Sequence, residues 1–333
     1  MKYRKLGRTG LRVPEIGFGC GNIGGLIIRG SHEEQIEAVN LALDLGIDYF
    51  DTAPSYGNGK SEENLGKVLA ELEPEIVLAS KVGLSLDQLD NITEAVERSV
   101  EASLDRLQRD HVDVLQLHSR IALSRDSPQW RGSLSVDDVL GENGVADAFD
   151  DMRRMGKTRF IGFTGIGEAA ALHRVVESRR FDVVQAYFNL LNPSAGYPVS
   201  PDFNGYDFKQ LIDAANKNGM GVAAIRVMAA GALGGEASRM GYAAPTVGNP
   251  MVSGGEYERD EDRASRLGFL LAGSRSLPQA ALQFVLTHRG VSMALVGFSN
   301  LVQIREAVES TNLGPIPDSD LKKLRKFWGQ VKG

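Results

Sequence analysis

The sequence has one cysteine, Cys20, two tryptophans, and no stretch of about 20 uninterrupted apolar residues. A lone cysteine excludes an intramolecular disulfide and suits a reducing compartment, so a cytoplasmic location is expected. The missing apolar run excludes a transmembrane helix. The opening MKYRKLGRTG carries basic residues but no apolar h-region, so it does not read as a secretory signal. Formal net charge is -6, and no Lys/Arg run offers the basic stripe that a phosphate backbone needs. Neither nucleic acid nor membrane is an expected partner. His32, His111, His173 and His288 show no metal-ligand spacing with one another or with Cys20, so no metal site is expected. No Gly-x-Ser-x-Gly or P-loop motif is present, which leaves hydrolase and kinase chemistry without support.

What the sequence does contain is a regular beat of short apolar runs and helix-period stretches. The strand-like runs are EIGFG (15–19), IDYFD (47–51), EIVLASK (75–81), VDVLQLH (112–118), RFIGFTG (159–165), DVVQAYF (182–188), GVAAIRV (221–227) and VSMALVGFS (291–299). Between them, Ser31 with Glu34 forms a capping box, and Ser61 reads as the cap of a helix whose apolar face is Leu65, Val68, Leu69 and Leu72. Further helices are expected over 91–107, around Val145 to Met152, around Leu172 to Val176, over 207–218, from near Pro278, and from Leu301 to Val308. Apolar strands alternating with amphipathic helices imply a parallel sheet covered on its outside. Eight such units predict a closed (β/α)₈ barrel, a single domain over residues 1–333. Long loops are expected after strand four (119–140) and strand seven (about 228–275), the face where barrel enzymes keep their sites.

Two motifs mislead. Gly19-Cys20-Gly21-Asn22-Ile23-Gly24 spells GxGxxG, but Gly25 follows and the next helix cap comes only at Ser31. A dinucleotide-binding fold needs the third glycine already inside the helix, so this segment reads as a turn at the barrel mouth. Tyr56 and Lys60 match a Tyr-x-x-x-Lys pair, which works only when helical spacing puts both on one face. The intervening Gly-Asn-Gly makes a poor helix.

Four other residues converge. Asp51 ends strand two, Tyr56 lies in the loop after it, Lys81 ends strand three and His118 ends strand four. All face one barrel mouth. Carbonyl reduction needs a proton for the oxygen as hydride reaches the carbon, and a free tyrosine is a poor acid near neutrality. An adjacent Lys⁺ is expected to lower its pKa, and a carboxylate to keep that lysine charged. A neutral histidine donates a hydrogen bond to the substrate oxygen. These types predict Tyr56 as general acid/base, Lys81 as its tuner, Asp51 as the lysine's anchor and His118 as oxygen binder.

The chain resembles the aldo-keto reductases over nearly its whole length. The resemblance rests on YRKLGRTGLRVPEIGFG, FDTAPSYGNGKSEENLG, SKVG, DVLQLH, GKTRFIGFTG, DVVQAYFNLLNP and LVGFSNLVQIREA. It implies hydride exchange between a nicotinamide cofactor and a small carbonyl, alcohol or sugar, with the four residues in the roles above. It also implies cofactor contacts at Gly21, Asn22, Thr164, Gln185, Arg226, Gly297, Ser299, Asn300, Gln303 and Glu306. Thr164 and Gly165 stand where relatives carry Ser-Asn, and Arg226 where many carry a stacking tyrosine. Relatives that bind NADP strongly tend to place a cation among residues 300–306. Asn300 and Gln303 are neutral here, and Arg305 reads first as a solvated helix face, with an inward turn that compensates as the alternative. NADP(H) is the first expectation, with NAD(H) as the alternative. Arg120 and Trp130, in the loop after strand four, are expected to touch substrate alongside Tyr56 and His118. A non-catalytic, redox-sensing subunit of the same fold is the second reading, and oligomeric state is not legible.

Overall fold

Eight short parallel strands pair edge to edge until the last meets the first. They are β1 (Ile16–Gly19), β2 (Tyr49–Asp51), β3 (Val77–Val82), β4 (Val112–Leu117), β5 (Thr158–Gly165), β6 (Val183–Tyr187), β7 (Gly221–Ile225) and β8 (Met293–Gly297). Spatial order follows chain order, and β8 closes on β1 with Gly297 opposite Gly19. Parallel neighbours need crossover connections, which the helices supply. In order these are α1 (His32–Asp44), α2 (Lys60–Leu72), α3 (Ile92–Leu107), α4 (Val145–Arg154), α5 (Ala169–Glu177), α6 (Leu211–Lys217) and α7 (Leu277–Thr287), and α8 (Leu301–Ser310) follows β8. This is the expected (β/α)₈ barrel. The computed structural model describes residues 1–235, 241–244, 257–271 and 275–330. Among them, no helix is long and apolar enough to cross a membrane.

The two-residue period of the strands sorts side chains into two cores. Outward-facing Phe50, Leu78, Leu115, Ile161, Phe163 and Val184 pack against helix faces such as Val96, Val100 and Leu104 of α3. Inward-facing Tyr49, Ala79, Val114, Val183, Ala223 and Met293 fill the barrel with Leu6 and Val13. Those last two come from an antiparallel hairpin, Tyr3–Lys5 with Arg12–Pro14, that plugs the floor. The hairpin turn needs Gly7, at φ +53, because a Cβ there would fall 2.1 Å from the Gly221 nitrogen. Two residues further along β2 to β6, the inward positions turn polar, while Ile225 of β7 and Leu295 of β8 stay apolar. Asp51, Lys81, Gln116, Thr164 and Gln185 form that layer, with Lys81 opposite Gln116 and Gln185 opposite Thr164.

Several boundaries differ from the sequence reading for local reasons. Helix α2 starts at Lys60 behind Gly59, whose φ of +88 ends the preceding turn, so Ser61 is not its cap. Ser31 does cap α1 in the expected box with Glu34. Helix α6 covers only part of 207–218, because Lys209 and Gln210 both take left-handed backbone (φ +54 and +58). Strand β7 stops at Ile225, and Arg226 turns at φ +56. The stretch 119–140 is not an open loop. Ile121–Ala122 pairs with Leu134–Ser135, and a short helix, Val136–Leu140, carries its own capping box. Of the expected loop at 228–275, the described part includes a helix at Tyr257–Ser265; residues 236–240, 245–256 and 272–274 lie outside the described residues. The tail beyond 310 forms a helix, Asp318–Gln330, and Trp328 Nε1 donates to the Leu190 carbonyl at 2.8 Å.

Candidate active site

The polar layer is held by the Asp51 carboxylate. Its Oδ2 accepts from Lys81 Nζ at 2.5 Å, and Oδ1 accepts from Gln116 Nε2 at 3.0 Å and Gln185 Nε2 at 2.6 Å. Lys81, with 0% exposure, also donates to the Thr52 carbonyl at 2.7 Å. Its ammonium lies over the Tyr56 ring, 4.7 Å from the centroid. Tyr56 stands edge-on to His118, with centroids 5.6 Å apart. The backbone N–H of His118 donates to Val82 O at 2.7 Å, and its Nδ1 lies 3.3 Å from Ser55 Oγ. The structure therefore brings Asp51, Tyr56, Lys81 and His118 together.

The electrostatics differ from expectation at one point. Burial is the largest influence on Tyr56 and raises its pKa; Lys81 pulls it back without restoring the ordinary value. Burial works against a charged Lys81, but Asp51 and Tyr56 more than offset it, so the lysine titrates above its usual range. His118 is pushed down to about 3 by burial and by the Lys81 charge, so its imidazole is neutral near pH 7.

Local backbone explains why Tyr56 pairs with Lys81 and not with Lys60. Gly57, Asn58 and Gly59 all have positive φ, so the chain from Tyr56 to Lys60 is not helical. Lys60 faces solvent and pairs with Glu63 at 2.9 Å. The GxGxxG segment, likewise, serves no open dinucleotide-binding sheet. Asn22 Oδ1 accepts from Gly57 N at 3.0 Å, which ties the loop after β1 to the one carrying Tyr56. A Cβ on Gly21 would rest 3.5 Å from the Tyr56 ring.

Two adjoining cavities open at this mouth. The first, about 550 Å³, is lined by Asp51, Tyr56, His118, Thr164, Gln185 and Arg226, together with Gly21 and Asn22. The second, about 270 Å³, reaches the start of α8 at Ser299, Asn300, Gln303 and Glu306. Ile23, Gly24, Met228, Val296 and Gly297 line both, so the two form one groove. The loop after β7 is tied to the loop after β1: Ala244 N donates to Ile23 O at 3.2 Å, and Arg29 Nε to Tyr242 O at 2.7 Å.

The groove suits an extended dinucleotide. Thr164 Oγ1 is a buried hydroxyl oxygen with no protein partner in the wall of the first cavity. The bare backbone of Gly24 and Gly297 forms the waist, where a Cβ on Gly24 would sit 2.3 Å from Phe298 N. At the far end, the positive end of α8 faces the second cavity. Asn300 caps that helix by accepting from Gln303 N at 3.0 Å, and Gln303 Oε1 accepts from Ser299 N at 2.8 Å. Glu306 accepts from the Ser276 hydroxyl. Gln185 lines the groove, but its Nε2 is committed to Asp51.

Arg120 and Trp130 are placed apart from this group. The pairing of 121–122 with 134–135, and a bridge from Ile121 to Gly167, pin the loop back beside β5. Trp130 is thereby buried edge-on against Tyr206, Arg120 faces solvent, and neither is among the residues lining this groove. Sequence reasoning missed Gln116, although it sits two residues before His118 on the same strand face. It also missed the 2.6 Å bond between Ser80 and Glu62 behind the site, because neither the acidic start of α2 nor a serine in β3 points to its partner.

Comparison with known proteins agrees with the geometry. The chain is 29% identical to L-galactose dehydrogenase of Arabidopsis thaliana over 314 residues, covering 92% of this chain and 87% of that protein. It is 26% identical to D-threo-aldose 1-dehydrogenase of Pseudomonas sp, with 90% of each covered. Its fold superposes on an aldo-keto reductase from Bacillus halodurans in its holo form with a TM-score of 0.71, 23% identity, and coverage of 100% and 98%. Residues 15–329 match the Aldo/keto reductase family, and the chain belongs to that family of oxidoreductases.

Proposed function

We propose that the chain is an NAD(P)(H)-dependent oxidoreductase that interconverts a small aldehyde, ketone or aldose and its alcohol or oxidised form, with Tyr56 as general acid/base. The observation that carries this reading is the placement of Tyr56, backed by Lys81 and edge-on to a neutral His118, in the wall of a 550 Å³ cavity. A bound nicotinamide dinucleotide supplies or accepts the hydride. In the reducing direction, Tyr56 gives its phenolic proton to the substrate oxygen. Lys81 stabilises the phenolate left behind, and Asp51 keeps Lys81 charged and in place. A hydrogen bond donated by the Ser55 hydroxyl to Nδ1 keeps the ring proton on Nε2, and that N–H of His118 holds the substrate oxygen beside Tyr56. The oxidising direction runs the same proton transfer backwards.

Thr164 and Gln185 would hold the nicotinamide end, and Arg226 would stack on it or grip the pyrophosphate. Gly21, Asn22 and Gly297 line the middle; Ser299, Asn300, Gln303 and Glu306 receive the adenosine end. Among the described residues, no Lys or Arg lines the second cavity, and Arg305 is exposed. NADP(H) therefore has only a small advantage over NAD(H) in this reading. The named activities of L-galactose dehydrogenase and D-threo-aldose 1-dehydrogenase make aldoses the first substrates to try. The test is a turnover screen of aldoses, aldehydes and ketones with both cofactors. Tight cofactor binding with no turnover on any of them would overturn the proposal in favour of a redox-sensing subunit.

A further inference from the structure

Asp51, Tyr56 and Lys81 come from three different elements, so something must fix those elements relative to one another. Ser61 and Glu62, at the start of α2, are both fully buried and line neither cavity. Ser61 lies behind Asp51 and Tyr56. Its Oγ donates to Cys20 O at 2.9 Å and sits 2.8 Å from Thr52 Oγ1, and its N–H donates to Tyr56 O at 3.2 Å. Thr52 directly follows Asp51, and its carbonyl accepts from Lys81. Glu62 lies behind Lys81. Its Oε1 accepts from Ser80 Oγ at 2.6 Å, and Ser80 directly precedes Lys81. Its Oε2 accepts from Arg106, on α3, at 2.8 Å from Nε and 2.7 Å from the guanidinium terminus.

We infer that Ser61 and Glu62 are positioning residues that set the Tyr56–Lys81 separation from outside the barrel. The inference rests on Tyr56 and Lys81 being the acid/base pair proposed above. Stability alone does not account for the arrangement. Helix α2 already docks through Leu65, Val68 and Leu69, each fully buried, and a buried ion pair adds little that apolar packing would not. What the Glu62 carboxylate adds is direction. It locks the first turn of α2 to Ser80, the residue of β3 just before Lys81, while the neighbouring serine locks it to Thr52, the residue just after Asp51. A shift of α2 along β3 would move Tyr56 off the ammonium without unfolding anything.

The experiment compares wild type, Glu62→Gln, Ser80→Ala and Tyr56→Phe by kcat, KM, melting temperature and the pH profile of alcohol or aldose oxidation. Glu62→Gln and Ser80→Ala should each lower kcat by about 10- to 100-fold, the scale of a misplacement near 1 Å, with KM nearly unchanged. The pH at which oxidation gains its base should rise, because a more distant Lys81 lowers the Tyr56 pKa less. Direct loss of the Glu62 charge would move that pH the other way. A fall in melting temperature with wild-type kcat and an unmoved profile overturns the inference. Should Glu62→Gln fail to fold, Ser80→Ala, which deletes one hydroxyl oxygen, carries the same test. If Tyr56→Phe itself keeps wild-type kcat, the acid/base reading has failed; if it is inactive while both other variants keep kcat, only the positioning role has.

Discussion

The Lys81 ammonium lies over the Tyr56 ring at 4.7 Å while donating hydrogen bonds to Asp51 Oδ2 and Thr52 O. Two opposing effects meet in that contact. Burial holds the phenol in its protonated form, and the nearby cation makes its loss of a proton less costly than burial alone would. In the proposed mechanism this makes Tyr56 a donor that keeps its proton until a substrate oxygen demands it.

Replacing Tyr56 by Phe should therefore remove turnover and little else. The ring packs beside His118 and Lys81 in either residue, but only tyrosine has a proton to give. A kcat loss of about 10²- to 10⁴-fold is expected, the range of general acid–base catalysis. Cofactor Kd, followed by fluorescence, should stay within about twofold, as the deleted oxygen is a proton donor and not a binding anchor. Wild-type kcat in the variant would remove Tyr56 from the mechanism.

The pH dependence follows from the directions of the shifts. Carbonyl reduction needs protonated Tyr56, whose pKa is raised, so reduction should persist to alkaline pH and fall only above the ordinary tyrosine value of 10.0. His118 is held to about 3, so kcat should show no limb near 6.5. For stability, a depressed folded pKa means the contribution is complete above 6.5 and is lost as pH falls from there towards 3, because only the unfolded chain gains the proton. Melting temperature measured against pH should therefore fall less steeply across that window in His118→Gln than in wild type. Parallel curves would show that His118 is not buried neutral.

The sequence made the barrel legible because its two signals are local. Period-two strands and 3.6-period helices each occupy a handful of residues, and eight repeats leave one closed arrangement. Asp51, Lys81 and His118 were legible for the same reason, since a strand end has a known face. What lay beyond reach depended on contacts between distant segments. The hairpin that brings Leu6 and Val13 into the barrel is polar by composition, and its partner, β7, begins more than 200 positions later. Trp130 reads as a loop aromatic until the pairing of Ile121–Ala122 with Leu134–Ser135 turns it inward. Ser61 has the look of a cap, yet its hydroxyl serves Cys20 and Thr52 instead. The net shift of Tyr56 was misjudged because a charge partner is visible in a motif whereas burial is not.

The two lysines near Tyr56 in sequence and in space offer a direct comparison. Lys60→Ala removes an exposed ammonium paired only with Glu63 and should change kcat less than about fivefold. Lys81→Met keeps most of the buried volume but removes the cation from Tyr56 and leaves Asp51 with Gln116 and Gln185 alone. Breaking such a buried pair costs about 3–5 kcal/mol of stability, so folding must be checked first. In the folded variant, kcat should drop at least about 10²-fold. An inactive Lys60→Ala beside an active Lys81→Met would reverse the site assignment.

The last prediction concerns which cofactor the groove prefers. Asn300 and Gln303 are the obvious places to add a cation, but both already work for the protein. Asn300 caps α8, and Gln303 holds the backbone N–H of Ser299, so an arginine at either would confound binding with helix stability. Val302 is free of that difficulty. It lines the second cavity, is 71% exposed, and occupies the first turn of α8. Val302→Arg should add one charge-assisted hydrogen bond to a 2′-phosphate, worth about 1.5–3 kcal/mol. The ratio of NADH to NADPH Kd should therefore rise by about tenfold or more, with NADH affinity nearly unchanged. Fluorescence titration of both cofactors against wild type and variant decides it. An unchanged ratio would place the 2′-phosphate away from the start of α8, and a wild-type preference above about a thousandfold, roughly 4 kcal/mol, would contradict a cavity lined by no described cation.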